Sequence, residues 1–295
     1  MAAKHIPVYQ IDAFHKTESA TDFYCNTLKA HLNKHHFIFV PHKHDFYVCM
    51  LFIKGSGTHD IDFKKYPVKP GAVFFLKPGQ MHNWVLSPDA DGFIFFHSRA
   101  FYDLCFTHRK LGDFSFYGSG YTSPALYLKA GQDIKTHPAT LLFTALHKEF
   151  TLKMAFLHKE RLTSLTDLIY IDLARRLELS ETQGAAPNRY LQLFREFEQL
   201  VDTRFKEMKS PAAYASEMSM TGKHLNRICQ NCIGKTASEV ISDRLILEAK
   251  RLLLQPGYTV SDIANELGMF DLSYFTRMFK KKTGETPFQF SKQFG

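Results

Sequence analysis

Residues 36–99 alternate short apolar runs with turn formers. The runs are HFIFV, FYVCMLFI, THDIDF, AVFFLKPG, NWVLS and GFIFFHS; Gly55, Gly57, Pro70-Gly71, Pro78-Gly79 and Asp91-Gly92 break them. Aromatic and β-branched strands at this spacing predict a small barrel or jelly roll. From about Thr136 the period lengthens to that of a helix. In Glu160–Leu177, Leu162, Leu165, Ile169 and Leu173 fall near one face, and Arg175 and Arg176 stand at the C-terminal end, where the helix dipole favours cations. SETQGAAPN, 180–188, is small and polar and reads as linker. Residues 189–295 read as helix throughout. The expected fold class is therefore α+β in two domains: a barrel over 1–135 with a helical segment over 136–180, a linker over 181–188, and an all-α domain over 189–295.

The helical tail repeats itself. AYASEMSMTGKHLNRICQNCIGKT (213–236) aligns with IANELGMFDLSYFTRMFKKKTGET (263–286). Ala215 matches Ala264 and Glu217 matches Glu266, 49 apart; past the turn Leu225 matches Phe275, Arg227 matches Arg277 and Gly234 matches Gly284, 50 apart. Two copies of a helix–turn–helix unit explain this. Each copy carries its own start signals. Ser210-Pro211 and Thr259 with Asp262 open the first helices, and Thr221 and Asp271 cap the second. Thr236 and Glu239 make a capping box for a long helix between the copies. At about 1.5 Å per residue, that helix spans roughly 30 Å, near the ~34 Å between major grooves on one face of DNA.

On each second helix one side is apolar and the other is not. Phe275, Met278 and Phe279 face inward, leaving Leu272, Ser273, Thr276, Arg277 and Lys280 outward. In the first copy Gly222, Lys223, His224, Asn226 and Arg227 are outward. A helix so divided suits the major groove, its N-terminal residues at base edges and its far end at phosphates. Leu272 suits a thymine methyl, Ser273 and Thr276 bases or phosphate, Arg277 a guanine edge or a phosphate, and Lys280, Lys281 and Lys282 phosphates. The expected partner is double-stranded promoter DNA.

Charge agrees with an acidic partner but does not locate its site. Net charge is +8 without the 15 histidines. From Pro187 onward there are 16 basic and 12 acidic residues, and before it 21 and 17, so each half carries the same surplus of four. The start lacks an apolar run of signal-peptide length, and no segment reaches the ~20 apolar residues of a membrane span. Five scattered cysteines suit a reducing compartment, and the cytoplasm is expected. Cys229-Gln-Asn-Cys232 matches a CxxC spacing, but the repeat puts Cys229 at the core position of Phe279. No GxSxG, P-loop, HExxH or dinucleotide fingerprint occurs, and the chain is not expected to be an enzyme.

The run Ile263-Ala264…Leu267-Gly268-Met269…Ser273-Tyr274-Phe275…Arg277…Phe279-Lys280…Gly284…Thr286-Pro287 resembles the C-terminal signature of AraC/XylS-type transcription regulators. Leu247-Glu248-Ala249…Leu252-Leu253 resembles their linker helix, and the likeness covers about Tyr190–Phe294. Met269 stands where that family usually has Phe, and Ser291 where Arg is frequent. The resemblance implies a ligand-responsive regulator, an activator more than a repressor, that works with RNA polymerase. It also implies a homodimer, for which Leu162, Leu165, Ile169 and Leu173 are the candidate surface; the same stripe suits intradomain core equally.

His42-Lys-His44-Asp45-Phe46-Tyr47, Gly55-Ser-Gly57 and Gly71…Pro78-Gly79-Gln80-Met81-His82 resemble the cupin-like sensor barrel of the same family. Aromatic lining suits a small effector, either a sugar or an aromatic or apolar compound. The candidate effector residues are His42, His44, Phe46, Tyr47, Phe74, His82 and Trp84. The segment also resembles metal-binding cupins, with His42, His44 and His82 in the ligand slots. Three imidazoles suit Zn, Fe or Ni. The carboxylate usual a few residues past the histidine pair is missing, with Val48 and Cys49 near its place. No cofactor and no metal are therefore expected, and the histidines are assigned to effector contact or internal hydrogen bonding. The alternative is a metal-dependent cupin enzyme fused to a DNA-binding tail.

Overall fold

The structure, a computed structural model, describes residues 6–14, 22–103, 105–106, 109–118, 121–128, 133–152, 156–181, 189–255 and 257–294. The chain divides into two units, one over Pro7–Gly184 and one holding Ala185–Gly295. Of the expected linker, 182–188 lie outside the described residues.

The first unit is β-rich. Its strands are β1 (Val8–Tyr9), β2 (Phe23–Thr27), β3 (Lys43–His44), β4 (Tyr47–Lys54), β5 (Gly57–Ile61), β6 (Lys64–Val68), β7 (Ala72–Leu76), β8 (His82–Leu86), β9 (Asp91–His97) and β10 (Ala125–Tyr127). β10, β7, β4, β9 and β2 form one antiparallel sheet in that order; β6, β5 and β8 form a second. β1 pairs in parallel with β3. The helices are α1 (Leu28–Lys34), α2 (Arg99–Asp103), α3 (Ser115–Gly118), α4 (Pro138–Thr151) and α5 (His158–Glu181).

Alternation along β4, β7 and β9 feeds two cores. Val48, Met50 and Phe52, Phe74 and Leu76, and Ile94 and Phe96 meet Ile61, Val68 and Trp84 of the second sheet across one interior. Cys49, Leu51, Val73, Phe75 and Phe95 point the other way, onto Phe143 and Leu146 of α4 and Ile169, Tyr170 and Leu173 of α5. The five-stranded sheet is thus covered on both faces. This is why FYVCMLFI and AVFFL are apolar at nearly every position instead of every second one.

The same packing decides between the two readings of the helical stripe. Leu162, Ile169 and Leu173 are buried in this second core, and Leu165 packs against it. The sheet needs a cover, and the stripe supplies it within one chain. These leucines are intradomain core and not a free surface for a second copy.

The second unit consists of α6 (Arg189–Arg204), α7 (Pro211–Glu217), α8 (Gly222–Ile233), α9 (Ala237–Leu253), α10 (Val260–Glu266), α11 (Leu272–Thr283) and α12 (Pro287–Phe294). α9 packs against each of the other six. With 17 residues it is about 26 Å long, slightly short of the expected span. Its apolar side presents Val240, Ile241, Leu245, Ala249, Leu252 and Leu253.

The turns of the two copies superpose bond for bond in sequence. Ser219 N–H donates to Ser216 O and Met220 N–H to Ala215 O; Gly268 N–H donates to Asn265 O and Met269 N–H to Ala264 O. Every partner is displaced by 49. Both turns need a left-handed residue, Ser219 at φ 53° in the first and Gly268 at φ 66° in the second.

Candidate nucleic-acid interface and effector site

α8 and α11 are the second helices of the two helix–turn–helix copies. Thr221 Oγ1 accepts from His224 N at 3.2 Å and Asp271 Oδ1 from Tyr274 N at 2.9 Å. Each cap satisfies an otherwise unpaired amide, worth about 1 kcal/mol, and starts its helix at a fixed residue. Gly234 at φ 65° and Gly284 at φ 88° stop them after 12 residues apiece. Leu225, Ile228 and Cys229 hold α8 inward; Phe275 and Phe279 hold α11. Cys229 is fully buried, and burial pushes its thiol up to about 12, so it behaves as core.

What remains outside is largely the expected set. Lys223, Arg227, Leu272, Ser273, Arg277, Lys280 and Lys281 are exposed. Gly222, His224, Asn226 and Thr276 are half-buried, and three of these are already engaged. Asn226 Oδ1 accepts from Ala237 N at 2.9 Å, which ties α8 to the start of α9, and Thr276 Oγ1 donates to Leu272 O at 2.8 Å. Arg227 Nη2 lies 2.8 Å from His224 Nδ1, with its guanidinium over the Tyr190 ring. Lys282 leaves the phosphate-facing group: its Nζ is 2.8 Å from Asp243 Oδ1, and Asp243 also holds Lys235. Phe270 and Tyr274, 86% and 55% exposed, flank Leu272 and belong to the same surface. Sequence reasoning passed over them because neighbouring aromatics, Phe275 and Phe279, are core.

In the β-rich unit, His42 and His82 face each other in an antiparallel bridge, each N–H donating to the other's carbonyl at 3.0 and 2.9 Å. That pairing sets the two rings 4.2 Å apart. His44 Nε2 lies 2.7 Å from His82 Nε2, and His44 stacks on Phe46 at 4.6 Å. Trp84 is 5.3 Å from His82, and Phe74 is 4.7 Å from His59. His42, His44, Phe46, Phe74, His82 and Trp84 are thereby brought together in one buried group. Tyr47 is not with them. One residue past Phe46, it points to the opposite face of β4 and packs on His97 and Tyr117.

His59 is the functional candidate that sequence reasoning missed. Its Nε2 lies 2.9 Å from His82 Nδ1. On β5 it stands opposite Trp84, diagonal to His82. The available signal was alternation in THDIDF, which puts His59 on the face of buried Ile61. Burial depresses all four imidazoles: His42 to about 4, His59 to about 3, and His44 and His82 well below the usual value. They are neutral at physiological pH, where each offers one donor and one lone pair. One ring nitrogen from each of His42, His44 and His82 lies within 4.8 Å of the others.

Comparison with known proteins agrees with both halves of this geometry. A family model described as a helix–turn–helix domain matches residues 214–293, and one described as an AraC-like ligand binding domain matches residues 27–98. The chain is 23% identical over 267 residues to the uncharacterized HTH-type transcriptional regulator YfiF of Bacillus subtilis, covering 85% of this chain and 78% of that protein. It is 22% identical over 260 residues to the arabinose operon regulatory protein of Salmonella typhimurium, covering 83% of each. Fatty-acid-bound ToxT of Vibrio cholerae is a similar solved structure at TM-score 0.44 and 16% identity, over 93% of this chain and 96% of that one. Among the described residues no helix is long and apolar enough to cross a membrane. Two like-built helix–turn–helix copies on one helical unit, a β-rich unit matching a ligand-binding domain and these two family matches make the chain an AraC-family transcription regulator, a DNA-binding protein and not an enzyme.

Proposed function

We propose that this regulator activates transcription at promoters read by α8 and α11, under control of a small effector held in the interior of the β-rich unit. The observation that carries the reading is the pair of like-built helices, each buried on one side and basic on the other, both packed on α9. Arg277 and Arg227 take base edges, Leu272 a thymine methyl, and Lys223, Lys280 and Lys281 phosphates. The effector is a sugar or an aromatic or apolar compound that contacts Phe46, Phe74, Trp84 and the histidines. It switches the protein only if it binds two states unequally. RNA polymerase is the downstream partner, and the cytoplasm the site of action. A homodimer uses the outward side of α5, where Leu168 is 47% exposed, because the inward stripe is covered.

The test is selection of duplexes from a random library by the full chain, followed by affinity against salt. A recovered two-part site, with binding that weakens as salt rises, supports the reading. Binding without sequence preference overturns it. Transcription from that site, with and without members of a sugar and aromatic-acid library, then fixes the sign of regulation and the effector class.

A further inference from the structure

The arrangement of the four buried imidazoles has more order than effector contact requires. His42 Nδ1 is 2.9 Å from Val40 O, and a carbonyl only accepts, so this nitrogen carries the proton and His42 Nε2 is a bare lone pair. His82 Nδ1 is engaged by His59 Nε2 at 2.9 Å, and His82 Nε2 points at His44 Nε2. Two of the three imidazoles are thus held from behind through Nδ1, by a carbonyl and by a fourth imidazole, which leaves Nε2 as the ligating atom of each. Metal-ligating histidines are held in this way, the distal nitrogen donating to a fixed acceptor so that the ligating lone pair is aimed.

From this geometry we propose that His42, His44 and His82 form a mononuclear site for a divalent transition metal, with His59 as the positioning residue behind His82. Three imidazole nitrogens suit zinc, cobalt or nickel and exclude magnesium and calcium, which need oxygen. Ligands at zinc–nitrogen distances of 2.0–2.1 Å stand about 3.3 Å apart at a tetrahedral angle. The His44–His82 pair at 2.7 Å reaches that by a small rotation of one ring. With no carboxylate in the set, the ion keeps its charge and one open position. The proposal departs from the expectation that no metal binds. It also differs from the carboxylate-containing pattern: the fourth residue is His59, in the outer layer.

The experiment uses the full chain, stripped with chelator and brought to equilibrium with Co2+. Ligand-field absorption reports occupancy. One Co2+ per chain, displaced by Zn2+ and not by Mg2+, is the expected result. H44A and H82A abolish the band, while Trp84 fluorescence and far-ultraviolet circular dichroism show whether they remain folded. H59F weakens binding about 10–100-fold with a shifted spectrum, and H59Q, which keeps an acceptor for His82 Nδ1–H, recovers part of the loss. A wild-type protein without saturable Co2+ uptake overturns the proposal whether or not the variants fold. Uptake that survives in H44A and H82A overturns it equally, by placing the ion elsewhere. Metal is measured without DNA, so intact operator binding with no metal removes only this inference, and metal without DNA binding removes only the activator reading.

Discussion

The two units spend their aromatic residues in opposite ways. In the β-rich unit, Phe52, Phe74, Phe75, Phe95 and Phe96 are all essentially buried, on one side or the other of the same sheet. In the helical unit, Phe275 and Phe279 are buried, while Phe270, Tyr274 and Phe288 stand in solvent at 86%, 55% and 60% exposure. If the first unit takes its effector among these rings, as proposed, rings that already touch must part, whereas the side chains proposed to face DNA in the second are already outside. On that proposal sensing requires repacking, and reading does not.

The largest test of that contrast is Leu173→Ala. Leu173 is fully buried between α5 and the sheet, and its removal costs about 2–5 kcal/mol for lost transfer energy and a cavity. Thermal unfolding followed at Trp84, the only tryptophan and a member of the neighbouring core, should fall by the same amount at every protein concentration. A loss that shrinks as concentration rises would return Leu173 to a dimer surface.

Acid should separate the units next. His97 is buried, with Nδ1 donating to Ser98 O at 2.8 Å and Nε2 2.7 Å from Tyr170 Oη, and burial lowers it to about 4. His31 is lowered to about 3, by burial first and then by His35, His42 and Lys34. Both are neutral when folded and take up a proton when unfolded below about 6.5. The unfolded state then binds more protons, so stability is fully present above pH 6.5, falls as pH drops, and stops falling near the folded values. For His97 alone, the drop to about 4 is worth roughly 3 kcal/mol. Among the described residues of the helical unit there is one histidine, His224, and it is not buried. In chelator-treated protein, Trp84 fluorescence should report unfolding between pH 6 and 4 while helicity of the tail persists. A flat Trp84 signal across that range would break the contrast.

The part of this architecture that was legible in sequence is the part built from local contacts. Thr221, Thr236 with Glu239, Thr259 with Asp262, and Asp271 all cap the helices they precede, because a cap reaches only two or three residues ahead. The repeat exposed the shared framework directly. Legibility failed where strand pairing decides. FYVCMLFI carries no polar positions to mark its faces, so Tyr47 was grouped with Phe46 although their side chains lie across the sheet from each other. His59 joins His82 through the β5–β8 register, across 23 residues of chain. The Leu162–Leu173 stripe announced a buried face but not whose surface would bury it.

On the reading side, Arg277→Ala should weaken operator binding by about 1–3 kcal/mol and relax preference at one base pair. Arg277 is exposed on α11, so folding should be unchanged. Anisotropy titrations on the selected site and on base-substituted sites measure both effects. An equal loss on every duplex, with a shallower salt slope, would move Arg277 to the phosphates.

The smallest effect sits inside the repeat. Ser219 and Gly268 occupy the same turn position, and only Gly268 has a residue suited to positive φ. A non-glycine residue there is strained by roughly 1–2 kcal/mol, and glycine gives part of that back through unfolded-chain entropy. Ser219→Gly should stabilise the helical unit by about 0.5 kcal/mol, seen as a small rise in its urea midpoint at constant slope. The reverse change, Gly268→Ser, should lose more than that, because a Cβ at Gly268 would lie 2.3 Å from Lys206 O. Equal and opposite shifts would mean that left-handed strain alone governs both turns. The expected inequality locates the difference in the backbone of Lys206, which crowds the second turn, whereas Ser219 keeps a side chain in the first.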